Sequence, residues 1–342
     1  MYIFENIPLS TLSTMRLGGT AKFMCNIEDN NDIVEAHKWS KENNLPLKLI
    51  GDGSNIVWSD DGFEGLIAVN KIKGYDVFEL DDDNVFVTAG SGENWDKIVA
   101  KCVENGYSGI ESLSLIPGTA GATPIQNVGA YGTEIKDVLA TIEAFDREKE
   151  EFVTIRGSDC DFSYRNSRFK KEDKNRFLIS SITMSLSKND PTPTFYSAVE
   201  KYFSDNQITN FSAKEIRKAI VEIRTQKLPD PKKVANCGSF FQNPIVSSER
   251  ALELVKKRPE IPHWRLDNGK VKLSAAWLIE NSGFKKGYHD EETGMGLWKN
   301  QALVIVNENA TRASDLVKFT NKLTSQVYTE FNIELKQEPE II

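Results

Sequence analysis

The order of strand and helix signals along the chain predicts an α+β fold. Three observations carry that prediction. The first third alternates strand with helix, the middle is richer in strands, and the last third alternates again. No internal repeat, heptad array or low-complexity tract interrupts this order. A chain of 342 residues is long enough for two or three domains and for a sizeable core without disulfides.

Taken in order, residues 22–27 read as a strand, 31–43 as a helix, and 46–50 and 66–70 as further strands. A second helix is clearer. Trp95, Ile98, Val99, Cys102 and Val103 follow the 3.6-residue period, with Asn94 placed as its cap and Gly106 beyond its end. Residues 140–145 and 151–155 flank a charged turn, the pattern of a hairpin. Ile182, Met184 and Leu186 alternate with Thr183 and Ser185, as in a half-buried strand. Pro191 and Pro193 mark 191–194 as a connector. A helix then starts at Ser212, with Glu215 at capping-box spacing. Ile216, Ala219, Ile220 and Ile223 make its buried face, and Pro229 and Pro231 stop it near Leu228. Residues 274–281 read as a helix, 302–307 as a strand, and 314–330 as a helix with the stripe Leu316, Phe319, Leu323 and Val327. The alternation over 333–336 predicts a closing strand.

Composition narrows the function. Apolar residues at 39% and charged residues at 27% are ordinary for a globular protein. A net charge of −8 speaks against a nucleic-acid partner. It does not exclude an anionic small ligand, because a few placed Arg and Lys residues suffice. Cys25, Cys102, Cys160 and Cys237 form no CxxC pair, so no metal site is expected. Scattered thiols suit a reducing compartment, and the expected location is cytoplasmic. Met1 to Leu9 lack the basic and apolar regions of a signal peptide, and no run of about 18 apolar residues predicts membrane insertion. Histidines are few: His37, His263 and His289. Acid–base work therefore falls to Ser, Tyr, Arg, Lys and carboxylates.

Five segments carry chemistry. Gly51-Asp52-Gly53-Ser54-Asn55 follows a strand and could turn successive N–H groups toward phosphate oxygens; an ordinary tight turn has the same composition. It is neither a Walker A loop nor a GxGxxG fingerprint. Residues 116–132 are almost uncharged and dominated by small side chains, which suits either close approach of backbone to a large ligand or a buried connector. Arg165, within 162–169, could clamp a carboxylate, or be one more surface arginine. Ser239 sits on a glycine turn before Phe240 and Phe241, without the spacing of a nucleophile elbow. The tail Gln337-Glu338-Pro339-Glu340 is acidic, which is usually no more than solvation.

In this order the segments resemble the UDP-N-acetylenolpyruvoylglucosamine reductases, the MurB family. The matching blocks are 51–55, Ile116-Pro117-Gly118-Thr119, Pro124-Ile125-Gln126-Asn127 running on through Gly129-Ala130-Tyr131-Gly132, Tyr164-Arg165-Asn166-Ser167, Lys227-Leu228-Pro229-Asp230-Pro231, 238–244 and Glu338-Pro339-Glu340. The resemblance runs from about residue 10 to the C-terminus and looks closer to the type I subgroup, whose tyrosine-bearing loop would fall at Phe195-Tyr196-Ser197.

The resemblance implies a two-lobed FAD-binding fold of the PCMH or vanillyl-alcohol-oxidase type, followed by an α/β substrate-binding domain. The implied boundaries are 1–70 for the first lobe, with 333–342 returning to it as a strand, and 71–190 for the second. The tyrosine loop and a connecting helix take 191–228, and the substrate domain 229–332. It implies non-covalent FAD, NADPH as hydride donor, and reduction of the enolpyruvyl group on a UDP-sugar to UDP-N-acetylmuramate by a monomer.

The residues implied for catalysis are Arg165, Ser239 and Glu340. Those implied for the cofactor are Gly51, Gly53, Ser54, Asn55, Pro117, Gly118, Gly121, Pro124, Gln126 and Asn127. Those implied for substrate are Tyr164, Tyr196, Lys227, Asn243 and Gln301. One departure stands out: many relatives carry glycine where this chain has Asp52. Two rival readings remain. An oxidase of the same fold often tethers its flavin through His or Cys, yet no histidine lies near the glycine-rich segments. A non-catalytic nucleotide-binding regulator would have no use for Arg165, Ser239 and Glu340 together.

Overall fold

The computed structural model describes residues 1–192 and 195–342. Its contacts divide the chain into two compact units that do not follow sequence order. One holds Met1–Ile7, Ala21–Asp52 and Phe63–Thr225; the other holds Pro8–Thr20, Gly53–Gly62 and Gln226–Ile342.

The first unit contains two sheets. The smaller has the strand order Phe4–Pro8, Thr20–Ile27, Phe63–Asn70, Leu47–Ile50, and its last three strands are parallel. Parallel neighbours need a crossover, and α1 (Asn30–Glu42) supplies one. Asp29 caps α1 through the N–H groups of Asn31 and Asp32. Ile33 and Ala36 on its inner face pack with Cys25, Ile27, Leu47, Leu66 and Ala68.

The larger sheet is antiparallel, in the order Glu151–Arg156, Leu139–Asp146, Phe177–Ser187, Asn84–Gly90, Tyr75–Glu79. The expected hairpin is its first pair, with Phe145 opposite Phe152. The alternation at Ile182, Met184 and Leu186 marks its middle strand, where all three are buried. α2 (Trp95–Glu104) lays its stripe on this sheet, and the Asn94 side chain caps it as expected. α3 (Ser197–Asp205) and α4 (Ala213–Lys227) make a small core of their own from Val199, Phe203, Ile216, Ala219 and Ile220. Ser212 Oγ accepts from the Glu215 N–H at 3.3 Å at the start of α4. Of the connector expected at 191–194, Pro193 and Thr194 lie outside the described residues.

The second unit is built on the antiparallel order Ala235–Ser239, Gln301–Asn307, Met295–Trp298, His289–Asp290. α5 (Ser248–Lys257), α6 (Ala275–Glu280) and α7 (Ala313–Phe331) complete it. The α7 stripe Leu316, Phe319, Leu323 and Val327 is buried without exception, alongside Leu278, Ile279, Leu297 and Ile305.

The expectation for the C-terminus needs correction. Residues 333–336 form no strand, although Ile333 and Leu335 are buried between exposed neighbours. The closing strand is Glu340–Ile341, parallel to Ile56–Val57. The alternation was real, but it reports burial of one edge and not ladder pairing. No described helix is long and apolar enough to cross a membrane.

Candidate active site

Each unit gathers its own share of the expected residues. In the first, the two glycine-rich segments meet. Gly51 follows the strand Leu47–Ile50, and a Cβ added there would sit 2.3 Å from Thr119 Oγ1. Only a residue without a side chain lets these segments touch. Asp52 is exposed.

Residues 118–128 fold as consecutive tight turns. The Ala122, Thr123, Ile125 and Val128 N–H groups donate within the segment, while Ala120 and Gly121 donate to Glu93 and Ser91 carbonyls. Small size here serves packing as well, since a Cβ on Gly121 would lie 2.4 Å from the Ser91 Cβ. Pro117 is exposed at the rim, while Gly118, Pro124 and Gln126 are buried. Asn127 is fully buried and its side chain is spent on the protein. Its amide donates to Glu134 Oε2 at 2.8 Å and to the Ser163 carbonyl at 3.2 Å, and its oxygen accepts from the Lys136 N–H.

Those bonds tie the segment to the turn that presents Arg165. Ser163 and Asn166 exchange backbone hydrogen bonds at 3.1 Å, and Ser167 Oγ donates to the Ile125 carbonyl at 2.6 Å. Arg165 itself takes a left-handed conformation at φ +53°. Its Nη2 donates to the Gly129 carbonyl at 2.7 Å, and its guanidinium lies 5.1 Å from the Tyr164 ring centroid. A β-carbon-bearing residue in this region of φ is uncommon and marks a place where the surroundings impose the conformation. Tyr196 precedes α3, is 42% exposed, and meets Tyr131 edge to face with centroids 5.7 Å apart.

In the second unit the acidic tail is structured. The Glu340 N–H donates to the Asn55 carbonyl at 3.1 Å, and Asn55 Nδ2 reaches the Glu338 carbonyl at 3.4 Å. Gly53, at φ +65°, leaves no room for a Cβ, which would fall 2.0 Å from the Leu12 carbonyl oxygen. Ser54 lies between them, half-buried. The tail also runs beside the Ser239 turn: Phe241 pairs with Gln337, and the Glu338 N–H donates to the Phe240 carbonyl at 2.8 Å. One stretch of tail thus joins the Ser54–Asn55 loop, Glu340 and the Ser239 turn.

Ser239 ends its strand opposite Val304 after Gly238 at φ +75°. Nearby Cys237 is buried, and burial, with the charge of Glu338, pushes its thiol well up; it stays neutral. Asn243 Oδ1 accepts from the Ala275 N–H at 3.0 Å. Asn300 donates to the Gln226 carbonyl at 2.7 Å, which holds the turn before Gln301 against the residue before Lys227. The structure therefore groups Arg165, Tyr164 and Tyr196 in one unit, and Ser239, Glu340, Lys227, Asn243 and Gln301 in the other.

One residue escaped the sequence reading. Arg224, on α4, sends Nη2 to the Leu115 carbonyl at 3.3 Å, and the Tyr131 hydroxyl lies against its guanidinium. The only sequence signal was a basic residue one turn before Lys227, too common to single out.

Comparisons with known proteins identify the family. Residues 21–156 match an FAD binding domain, and residues 230–342 match the C-terminal domain of UDP-N-acetylenolpyruvoylglucosamine reductase. The UDP-N-acetylenolpyruvoylglucosamine reductase of Amoebophilus asiaticus is 38% identical over 342 residues, covering 100% of both chains. That of Ralstonia nicotianae is 37% identical over 338 residues, covering 98% of each. The crystal structure of UDP-N-acetylenolpyruvylglucosamine reductase from Thermus caldophilus shares the fold, with a TM-score of 0.68 at 19% identity over 99% of each chain. Identity at this level along the whole length settles kinship: the chain belongs to the UDP-N-acetylenolpyruvoylglucosamine reductase family, with an FAD-binding α+β fold.

Proposed function

We propose a division of labour among the residues of a chain that reduces UDP-N-acetylenolpyruvoylglucosamine to UDP-N-acetylmuramate with NADPH, through FAD, in peptidoglycan precursor synthesis. The observation that carries it is the joining of Ser239, Glu340 and the Ser54–Asn55 loop by one tail, in a chain of this family. The residues fit the cofactor. In the first unit a Cβ on Gly51 would run into Thr119, so the backbones of the two glycine-rich segments lie close together, which suits close contact with a dinucleotide. Gly51, Gly53, Ser54 and Asn55 would hold it with Pro117, Gly118, Gly121, Pro124 and Gln126. Asn127 contributes by fixing the shape of that segment.

When bound, FAD would supply the hydride chemistry between NADPH and the methylene carbon of the enolpyruvyl group. The chain manages charge and the proton. As hydride arrives at C3, negative charge builds at C2 and spreads into the neighbouring carboxylate. Arg165 faces that charge with a fixed guanidinium, which is worth most in a dry site. Glu340 sits beside the same carboxylate and shares a proton with it. Ser239 gives its hydroxyl proton to C2, completing addition of one hydride and one proton across the double bond, and is re-protonated by solvent.

Lys227 meets the diphosphate, and Tyr164, Tyr196, Asn243 and Gln301 hold the rest of the UDP-sugar. The enzyme works in the cytoplasm as a monomer, bound to no nucleic acid.

An anaerobic absorbance experiment tests the reading. The purified protein is yellow, bleaches with NADPH, and regains its flavin bands when the enolpyruvyl sugar is added. Bleaching by a simple sugar, with recovery of the bands on admitting oxygen, would instead favour an oxidase. A colourless protein that takes up no FAD would overturn the reading.

A further inference from the structure

Two arginines of α4 face the same wall, and only one of them is satisfied there. Arg217 clamps Asp96 through Nη1–Oδ1 at 2.6 Å and Nη2–Oδ2 at 3.2 Å. Arg224 lies two turns on. Its Nη2 reaches the Leu115 carbonyl at the long distance of 3.3 Å, and Tyr131 lies near enough for its hydroxyl to favour the charged guanidinium. Its Nε is sealed from water and has no hydrogen-bond partner among the described residues.

A guanidinium carries five donors, accepts nothing and cannot shed its proton. Taking it out of water costs energy unless an anion meets it. The one carboxylate whose charge it feels, Asp96, is already held by Arg217 and by the Leu115 N–H at 2.6 Å. Burial accordingly pulls the Arg224 guanidinium down from its ordinary value, with Tyr131 and Asp96 only partly opposing, and burial pushes the Tyr131 phenol up.

The two backbone points that frame Arg224 are also unusual. Leu115 has φ +57° and Tyr131 φ +50°, and both bound the glycine-rich segment given above to the cofactor. Left-handed conformations at such residues persist only where the surroundings impose them, and they cluster at ligand clamps.

We propose that Arg224 is a binding residue for negative charge on the bound flavin dinucleotide, either its diphosphate or the charge its ring system takes up on reduction. This rests on the reading that FAD binds along the glycine-rich segments. The class of ligand is set by the chemistry: a planar fork of N–H donors, partly desolvated and with its Nε unpartnered, matches phosphate or polarised ring oxygen.

The test uses the full chain, stripped of flavin and reloaded with FAD as the probe. FAD affinity is read from flavin fluorescence, and the two-electron midpoint potential from spectroelectrochemistry. Arg224→Gln should weaken FAD binding at least tenfold if the diphosphate is met. If the ring is met, the potential should instead fall by about 30 mV or more, the equivalent of a tenfold change for two electrons.

Arg224→Lys keeps the charge but loses the fork, so it stands in if the glutamine variant does not fold. It should show at least a threefold loss of affinity or a measurable fall in potential. Wild-type affinity together with wild-type potential in a folded variant would overturn the proposal. Failure of the unsubstituted protein to take up FAD would instead sink the flavoprotein reading on which it stands.

Discussion

A serine hydroxyl is a poor acid in water, so the role of Ser239 depends on what it meets. Its strand end, fixed by Gly238 and the pairing with Val304, gives it a defined position. In the proposed role its proton is needed only when C2 becomes basic. Ser239→Ala should therefore bleach with NADPH at close to the normal rate. Return of the flavin bands with the enolpyruvyl sugar should slow by about 10²–10⁴-fold, the usual worth of a placed general acid. Stopped-flow absorbance of each half-reaction separates the two. Equal slowing of both halves would make the serine a structural part of the flavin site.

Lys227, proposed to meet the diphosphate, offers the contrast, because a charge placed there touches no reacting carbon. Lys227→Ala should lose about 1.5–3 kcal/mol of UDP-sugar binding, roughly ten- to hundredfold. Titration calorimetry with the product measures it, and normal binding with a lost chemical step would refute the assignment.

At the scale of elements, ion pairs fasten strand ends that hydrophobic pattern does not. Asp146 ends one central strand and Arg176 immediately precedes the next, joined at 2.7 and 3.0 Å. The Arg176 hydrogen bonds hold the buried Asp146 carboxyl below the usual carboxylate range, against a smaller opposing effect of burial. A carboxyl depressed in the folded state stabilises above its unfolded value, about pH 3.9, and that contribution is lost as pH falls through the folded value. Asp146→Asn should therefore lower the thermal midpoint at pH 7. The gap from the unsubstituted protein should narrow below about pH 4. Differential scanning calorimetry across that range checks it; a gap independent of pH would mean the loss is one of packing alone.

The elements also show how far a sequence can be read. α2 and α7 were legible because long apolar stripes with a cap or clear period admit only one face. The hairpin Tyr75–Glu79 with Asn84–Gly90 gave no such signal, because its outer strand lies at a sheet edge with four of its five residues exposed. α5 was equally quiet, with Ala251 and Leu254 its only buried residues. α3 was passed over as loop because the resemblance placed a tyrosine there, and Tyr196 in fact stands at its start.

For the whole molecule, FAD is a ligand of the folded state alone, so it should raise stability by mass action. At free FAD a hundredfold above its dissociation constant, the gain should be about 2.7 kcal/mol. A thermal melt of stripped protein with and without FAD reads this directly. A midpoint unmoved by FAD would mean that the glycine-rich segments do not form a cofactor site.

The amino-acid sequence by itself determined the α+β class, the principal amphipathic helices and the motif blocks, since each depends on neighbours within a few residues. Through the family resemblance of those blocks it singled out Arg165, Ser239 and Glu340 as the residues to watch. Tertiary structure decided what depends on residues far apart in the chain. It put Gly51 on Thr119, set the C-terminal tail between the Ser54–Asn55 loop and the Ser239 turn, and turned the Asn127 side chain inward. It also half-buried Arg224, sealing its Nε, near Tyr131, nearly a hundred residues away. The reason is physical: period and capping are local energies, whereas an unsatisfied guanidinium or a missing Cβ acquires meaning only from what long-range packing brings against it.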